Sequence, residues 1–219
     1  MANLFQAATI FALWVLPSQA SAAEWRDKVY SFASENFKHP AWGFSHCQRD
    51  YDLARQLARE DNVILDDDIL FAASFLHDIA AFPKWSVPKV DHSDQGAEVA
   101  VSLLQEMDFP KEKLPAVRAA IATHMYYRKP AAPEALYLHD ADAIDWLGAI
   151  GIVRAFALLG PTKGSVETTA VAVDLSKKLR DVPPQVFSKA GKARLPAVIS
   201  ETEKFLQDLR SQTQDLKTL

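Results

Sequence analysis

The sequence predicts an all-α, single-domain helical bundle with a metal site between its helices. Apolar residues recur mostly at spacings of three and four, the helical period, and long Val/Ile/Thr alternations between turn signals are lacking. The 219 residues, 49% of them hydrophobic, suit one well-filled core and leave little room for a second. No repeat at 20 to 50 residues and no low-complexity stretch argues for anything larger.

The elements follow in chain order. Residues 4–16 (LFQAATIFALWVL) are apolar apart from Gln6 and Thr9, and Pro17 and Ala20-Ser21-Ala22 follow. This reads as a signal peptide over residues 1–22, cleaved after Ala22, with the domain occupying 23–219. The expected location is therefore periplasmic or secreted, and cytoplasmic if the leader does not function; the n-region carries no Lys or Arg. Thirteen residues reach only about 20 Å as a helix, short of a bilayer core, so no stable membrane span is expected. Helices are then expected at 24–37, 44–59, 66–79, 93–107, 114–125, 138–159, 166–179 and 196–209. Pro40 with Gly43, Pro83 with Pro88, Pro110, Pro130 with Pro133, Gly160-Pro161 and Pro183-Pro184 punctuate them. Asp66 or Asp67 and Ser93 are the expected N-caps, with Asp68 and Glu98 adding negative charge near helix starts.

Charge and cysteine content exclude some classes. Lys and Arg total 24 against 28 Asp and Glu, without a basic block, so no nucleic-acid partner is expected. The single Cys47 cannot form an internal disulfide and reads as a small buried hydrophobe. Gly148-Ala-Ile-Gly151 is a small-residue face that permits close helix packing within a subunit or across a homodimer.

Chemistry concentrates in the histidines. His77 and Asp78 stand side by side at the end of the apolar segment Ile69-Leu-Phe-Ala-Ala-Ser-Phe-Leu-His-Asp, where an imidazole and a carboxylate are costly unless paired. A metal ion is the economical partner. Adjacent helical residues point about 100° apart, so the pair would straddle an ion at a seam between helices, with His46 and Asp142 as candidates for the rest of the shell. Two imidazoles and two carboxylates suit Mn, Fe, Ni, Co or Zn better than Ca or Mg.

The order His46, His77-Asp78, Asp142 resembles the HD-domain superfamily of metal-dependent phosphohydrolases. His46-x-x-Arg49, Phe75-Leu-His-Asp-Ile-Ala with Pro83-Lys84 behind it, and Asp140-Ala-Asp-Ala-Ile-Asp-Trp-Leu-Gly-Ala-Ile-Gly-Ile-Val-Arg-Ala-Phe look like a bacterial branch of small nucleotide-acting HD hydrolases. The likeness covers roughly His46 to Phe156. It implies His46, His77, Asp78 and Asp142 as ligands, and selects Asp142 over Asp140, which would orient a ligand histidine or a water. Relatives with two metals carry extra histidines at places matched by His92 and His124, so one ion or two are implied. With one ion, His124 would donate a proton or touch substrate and His92 would cap the next helix.

On that resemblance the metal generates hydroxide near neutral pH for attack on phosphorus. Lys84, Arg49, Arg128 and Arg154, in that order, are the candidates for taking phosphate charge, each otherwise a solvated surface cation. Asp78, His124 and Lys84 form the expected catalytic set, His124 for proton transfer, with Asp145 either an alternative to it or a support that orients a ligand. Tyr126, Tyr127, Trp85 and Phe82 could stack on a base. His39 reads as a surface residue and His139 as a neighbour of the site. The expected substrate is a small phosphorylated molecule, a nucleotide first, cleaved at a phosphoester or phosphoanhydride. The alternatives are a binuclear iron oxygenase of HD type, and a metal-binding sensor without turnover.

Overall fold

The computed structural model describes residues 19–158 and 168–219, with side chains from residue 24 onward. The leader at 4–16 and the Gly160-Pro161 break lie outside the described residues. Among the described residues the regular elements are all helical: α1 (Gln19–Asn36), α2 (Phe44–Glu60), α3 (Asp67–Leu76), α4 (His92–Glu106), α5 (Leu114–Ala122), α6 (Pro133–Asp145), α7 (Gly148–Ala157), α8 (Thr168–Asp181) and α9 (Lys189–Gln212). No helix among them is long and apolar enough to cross a membrane.

The packing follows the periodicity. α1 buries Trp25, Val29 and Ala33, one residue per turn, Phe37 continues the stripe just past its end, and Trp25 meets Phe71 and Phe109 edge-on at 5.8 and 4.7 Å. Large apolar side chains of this kind contribute about 1.5–3 kcal/mol each when buried. α3 is central, buried from Ile69 to Leu76, with α1, α2, α5 and α6 packed around it. Asp66 caps it, accepting from the backbone N–H of Asp68 and Ile69.

Several boundaries differ from expectation, each for a local reason. α3 stops at Leu76, so His77 is its C-cap and Asp78, at φ −96° and ψ 13°, has left the helix. Asp91, not Ser93, caps α4 by accepting from Ser93 N, and Asp94 rather than Glu98 supplies first-turn charge. Glu98 instead pairs with Arg118. α5 ends at Ala122 with Thr123 as C-cap, leaving His124 just beyond. The expected helix 138–159 is two helices, because Gly148 takes φ +66° and α7 starts in a new direction. α9 begins at Lys189, seven residues before Pro196: Ser188 Oγ accepts from Gly191 N, Asp61 from Ala190 N, and Asp140 from Phe187 N and Ser188 N. That many caps outweigh the one hydrogen bond Pro196 forfeits inside the helix.

The small-residue face works within this chain. A Cβ on Gly148 would lie 3.3 Å from Val198, and one on Gly151 would strike the backbone of Trp146 at 2.2 Å, so α7 turns back tightly against the end of α6 and against α9.

Candidate metal centre

Three helices deliver the side chains. α2 puts His46 and Asp50 one turn apart on its buried face, the end of α3 supplies His77 and Asp78, and α6 supplies Asp142 and Asp145. His46 Nε2 lies 3.1 Å from His77 Nε2, 3.5 Å from Asp78 Oδ2 and 3.4 Å from Asp142 Oδ1. His77 Nε2 lies 3.4 Å from Asp78 Oδ2. The four residues expected as ligands are thus brought together, all of them buried.

The hydrogen bonds on the far sides of the rings decide what faces inward. His77 Nδ1 is 2.8 Å from Ser74 O and His124 Nδ1 is 2.6 Å from Ile121 O. A carbonyl only accepts, so both hydrogens sit on Nδ1 and both Nε2 atoms present lone pairs. His46 Nδ1 is held in the same way by Asp145 Oδ2 at 2.9 Å. Lone pairs of imidazoles and carboxylates therefore converge on one point, an arrangement a cation satisfies.

Charge says the same. With the imidazoles neutral, the carboxylates of Asp50, Asp78, Asp142 and Asp145 face the guanidiniums of Arg49 and Arg154, which leaves two negative charges in a buried volume. Burial and Arg154 push the pKa of His46 down, but Asp50, Asp142 and Asp145 outweigh them and hold it well above the ordinary value. Burial, with Asp145 and Asp142, drives that of Asp50 well up against the pull of His46 and Arg154. Asp78 goes the other way: burial raises its pKa, and His77, His124 and His46 together hold it well below the usual carboxylate range. A divalent ion fits this donor set and this charge.

Asp78 faces two ways. Its Oδ1 lies 3.5 Å from His92 Nε2 and 3.5 Å from His124 Nε2, while its Oδ2 faces His46 and His77. All six histidine and aspartate positions expected around one or two ions therefore share one neighbourhood. His124 is fully buried, whereas His92 is partly exposed and lines a cavity of about 320 Å³ with Trp42, Asp78, Ala81, Met125, Asp142, Trp146 and Leu158.

The cations and outer aspartates are placed differently from expectation. Lys84, expected as the first phosphate contact and as a catalytic residue, is exposed on the Pro83–Trp85 turn, where its ammonium sits 4.6 Å over the Trp85 ring. Arg49 grips Asp145 through two hydrogen bonds of 3.0 and 2.9 Å. Arg154 is buried, donating to Ala41 O at 2.7 Å and Asp145 Oδ2 at 3.0 Å, with Nη2 3.1 Å from His46 Nε2. Both arginines brace Asp145, which in turn orients His46. Arg128 pairs with Asp94 and Asp91 beside His92. Asp140, expected to orient a ligand, instead holds His139 Nδ1 and the start of α9, because its place on α6 points it at the Phe187–Ser188 backbone.

Sequence reasoning missed Asp50, Trp42 and Trp146. The one sequence signal for Asp50 is its place four residues after His46, on the face that carries Cys47, Ala54 and Leu57. Cys47 itself is buried, and burial raises its thiol pKa well above the ordinary value. Of the aromatics expected to stack on a base, Phe82 packs on Phe37 at 4.8 Å and Trp85 on Phe32 and Phe37; the cavity walls are Trp42 and Trp146. Trp146 carries two cations, with Arg154 Cζ at 3.7 Å and Lys178 Nζ at 3.9 Å from its ring centre.

Residues 43–147, which contain these ligand positions, match the sequence profile of the HD domain. No curated protein matches the sequence significantly. Among solved structures, a predicted HD superfamily hydrolase from an uncultured Thermotogales bacterium is 25% identical, with a TM-score of 0.59 over 87% of this chain and 91% of that one. Bacillus subtilis YpgQ is 19% identical, with a TM-score of 0.68 over 88% of this chain and 97% of its own; a second YpgQ structure is in complex with ADP. An HD-superfamily hydrolase from Bacillus thuringiensis is 21% identical, with a TM-score of 0.62 over 87% and 97%. The chain has the HD-superfamily hydrolase fold, with a buried His/Asp cluster able to bind a metal ion. Over residues 43–147 the chain matches the HD domain, and its fold is similar to those of HD-superfamily hydrolases.

Proposed function

We propose that the chain is a metal-dependent phosphohydrolase that cleaves a phosphoester or phosphoanhydride, in a nucleotide before other small phosphorylated molecules. The observation that carries this reading is the convergence of His46 Nε2, His77 Nε2, Asp78 Oδ2 and Asp142 Oδ1 beside the 320 Å³ cavity. A divalent transition ion held there (Mn, Fe, Ni, Co or Zn) supplies a Lewis acid and lowers the pKa of water toward neutrality.

The chain's own residues do the rest. Asp145, braced by Arg49 and Arg154, keeps the His46 lone pair turned inward. His92, on the cavity wall, is better placed than the fully buried His124 to hand a proton to a leaving oxygen; burial lowers its pKa, but Asp78 and Asp91 raise it above the ordinary value. Trp42 and Trp146 line the cavity and give it apolar wall against which a base could pack. The ADP bound to B. subtilis YpgQ supports the nucleotide class, since a protein of this fold holds one. The test is metal analysis of the purified chain with a phosphate and pyrophosphate release screen over nucleotides and generic phosphodiesters. Turnover that needs added divalent metal and stops with a chelator is expected; no release above blank with a fully loaded metal site would leave a sensor.

The two-faced Asp78 favours a second reading, a binuclear iron oxygenase with His92 and His124 on the second ion. Two irons per chain with substrate-dependent oxygen consumption would establish it in place of the hydrolase.

Export is proposed on residues 1–22 alone. Expressed with its leader in a bacterial host, the protein is expected in the periplasmic fraction beginning at Ala23; recovery from the cytoplasm with residues 1–22 intact would reject export.

A further inference from the structure

We infer that Asp50 is a further ligand of the same ion, a carboxylate on α2 outside the His46, His77-Asp78, Asp142 set. The inference rests on the metal reading above. Asp50 is 0% exposed, and neither of its carboxylate oxygens accepts a hydrogen bond among the described residues. A buried carboxylate without donors is rare in a folded protein unless a cation serves it. Its Oδ2 instead lies 3.2 Å from His46 Nε2 and 3.6 Å from His77 Nε2. The Nδ1 hydrogens of both rings go to the opposite side, to Asp145 and Ser74 O, so with the rings neutral, as metal binding requires, the two Nε2 atoms offer Asp50 lone pairs rather than donors. Like charges and lone pairs packed this closely repel until a positive ion sits among them.

The competitor for Asp50 is His46, which pairs with it at 3.2 Å when protonated and which a metal would displace from that role. The two guanidiniums of the region both bind Asp145. Apart from His46, the neighbouring buried side chains on α2 are Cys47, Ala54 and Leu57, none of which could carry a buried carboxylate. His46, Asp50, His77 and Asp142 each place one ligand atom within 4.8 Å of the others, so Asp50 is no more remote than the expected ligands.

The consequence is a harder shell. Three carboxylates and two imidazoles favour a higher coordination number and an oxygen-loving ion, Mn or Fe before Zn. Three carboxylates also over-neutralise a divalent ion by one charge, which accounts for the buried Arg154 guanidinium 3.8 Å from Asp142 Oδ1.

The test uses the full chain stripped by chelation and titrated with Mn²⁺ or Zn²⁺ alone, beside Asp50→Asn and His77→Ala. Asp50→Asn is expected to weaken Mn²⁺ binding about 10- to 100-fold, the range for perturbing groups that support a metal, and to weaken Zn²⁺ less. The stripped variant should melt no lower than stripped wild type, since it removes an unserved charge. In wild type loaded with Co²⁺, weak five- or six-coordinate absorption bands are expected. Wild-type Mn²⁺ affinity in Asp50→Asn, where His77→Ala has lost its metal, overturns the role of Asp50 alone. Wild type that binds neither ion overturns the metal reading itself. Intense tetrahedral bands in Co²⁺-loaded wild type overturn the extra ligand without any variant, and so cover an Asp50→Asn that fails to fold.

Discussion

Asp78→Ala should leave the chain folded, unable to retain metal, and slower in phosphate release by about 10³-fold or more, since a metal contributes several kcal/mol and each 1.36 kcal/mol is tenfold. No other side chain in the centre is shared so widely. One oxygen of Asp78 faces His46 and His77, the other His92 and His124, so a single truncation breaks both groups of ligands. The fold survives because Asp78 lies past the end of α3 and its side chain caps nothing. The apolar contacts of Ile69 through Leu76 are untouched. His92→Ala is the informative neighbour: it removes a group from the second cluster only, so a one-ion enzyme keeps its metal and loses turnover through proton transfer. Elemental analysis of both variants, with melting curves and phosphate release, separates the cases. Asp78→Ala that turns over at the wild-type rate removes the mechanism.

The fold was legible wherever one helix face carried the information. Trp25, Val29, Ala33 and Phe37 announce α1 by spacing alone, and Asp66 announces the start of α3 by capping chemistry. The turn between α6 and α7 was hidden, because 138–159 reads as one periodic run and the break depends on Gly148 taking a positive φ to lie against α9. The start of α9 was hidden for a related reason: its caps come from Asp61 and Asp140, far away in sequence, and they override the usual meaning of Pro196. At the site, the four expected ligand positions were readable because an imidazole and a carboxylate in an apolar segment demand a partner. Asp50 was not, since a lone carboxylate on a helix reads as solvated until its burial is known. The role of the arginines was hidden for the same reason: a sequence gives the charge of Arg49 and Arg154 but not that both hydrogen-bond Asp145.

Arg154→Ala is expected to lower stability by about 3–5 kcal/mol, the cost of breaking a buried ion pair from one side, and so to lower Tm by roughly 10 °C or more for a domain of this size. The geometry leaves little slack. The guanidinium is 1% exposed and donates to Ala41 O and Asp145 Oδ2, while its Cζ lies 3.7 Å from the Trp146 ring centre. These contacts exist only because the chain breaks after α6; along one straight helix, Asp145 and Arg154 would stand roughly 13 Å apart at 1.5 Å per residue. Truncation orphans the Ala41 carbonyl, strips Asp145 of one of its two cations and opens a void beside Trp146. Arg154→Lys should recover little, since one ammonium cannot reproduce the guanidinium's fixed fork onto two acceptors or stack as a guanidinium does. The His46 ring then loses the carboxylate geometry that turns its lone pair inward, so metal affinity should fall together with Tm. A residue free to meet phosphate would behave otherwise: its removal would raise KM and leave Tm within about 1 °C, as exposed charges do. Melting curves of Arg154→Ala with and without Mn²⁺ decide between the two. An unchanged Tm would return Arg154 to the substrate and leave Asp145 held by Arg49 alone.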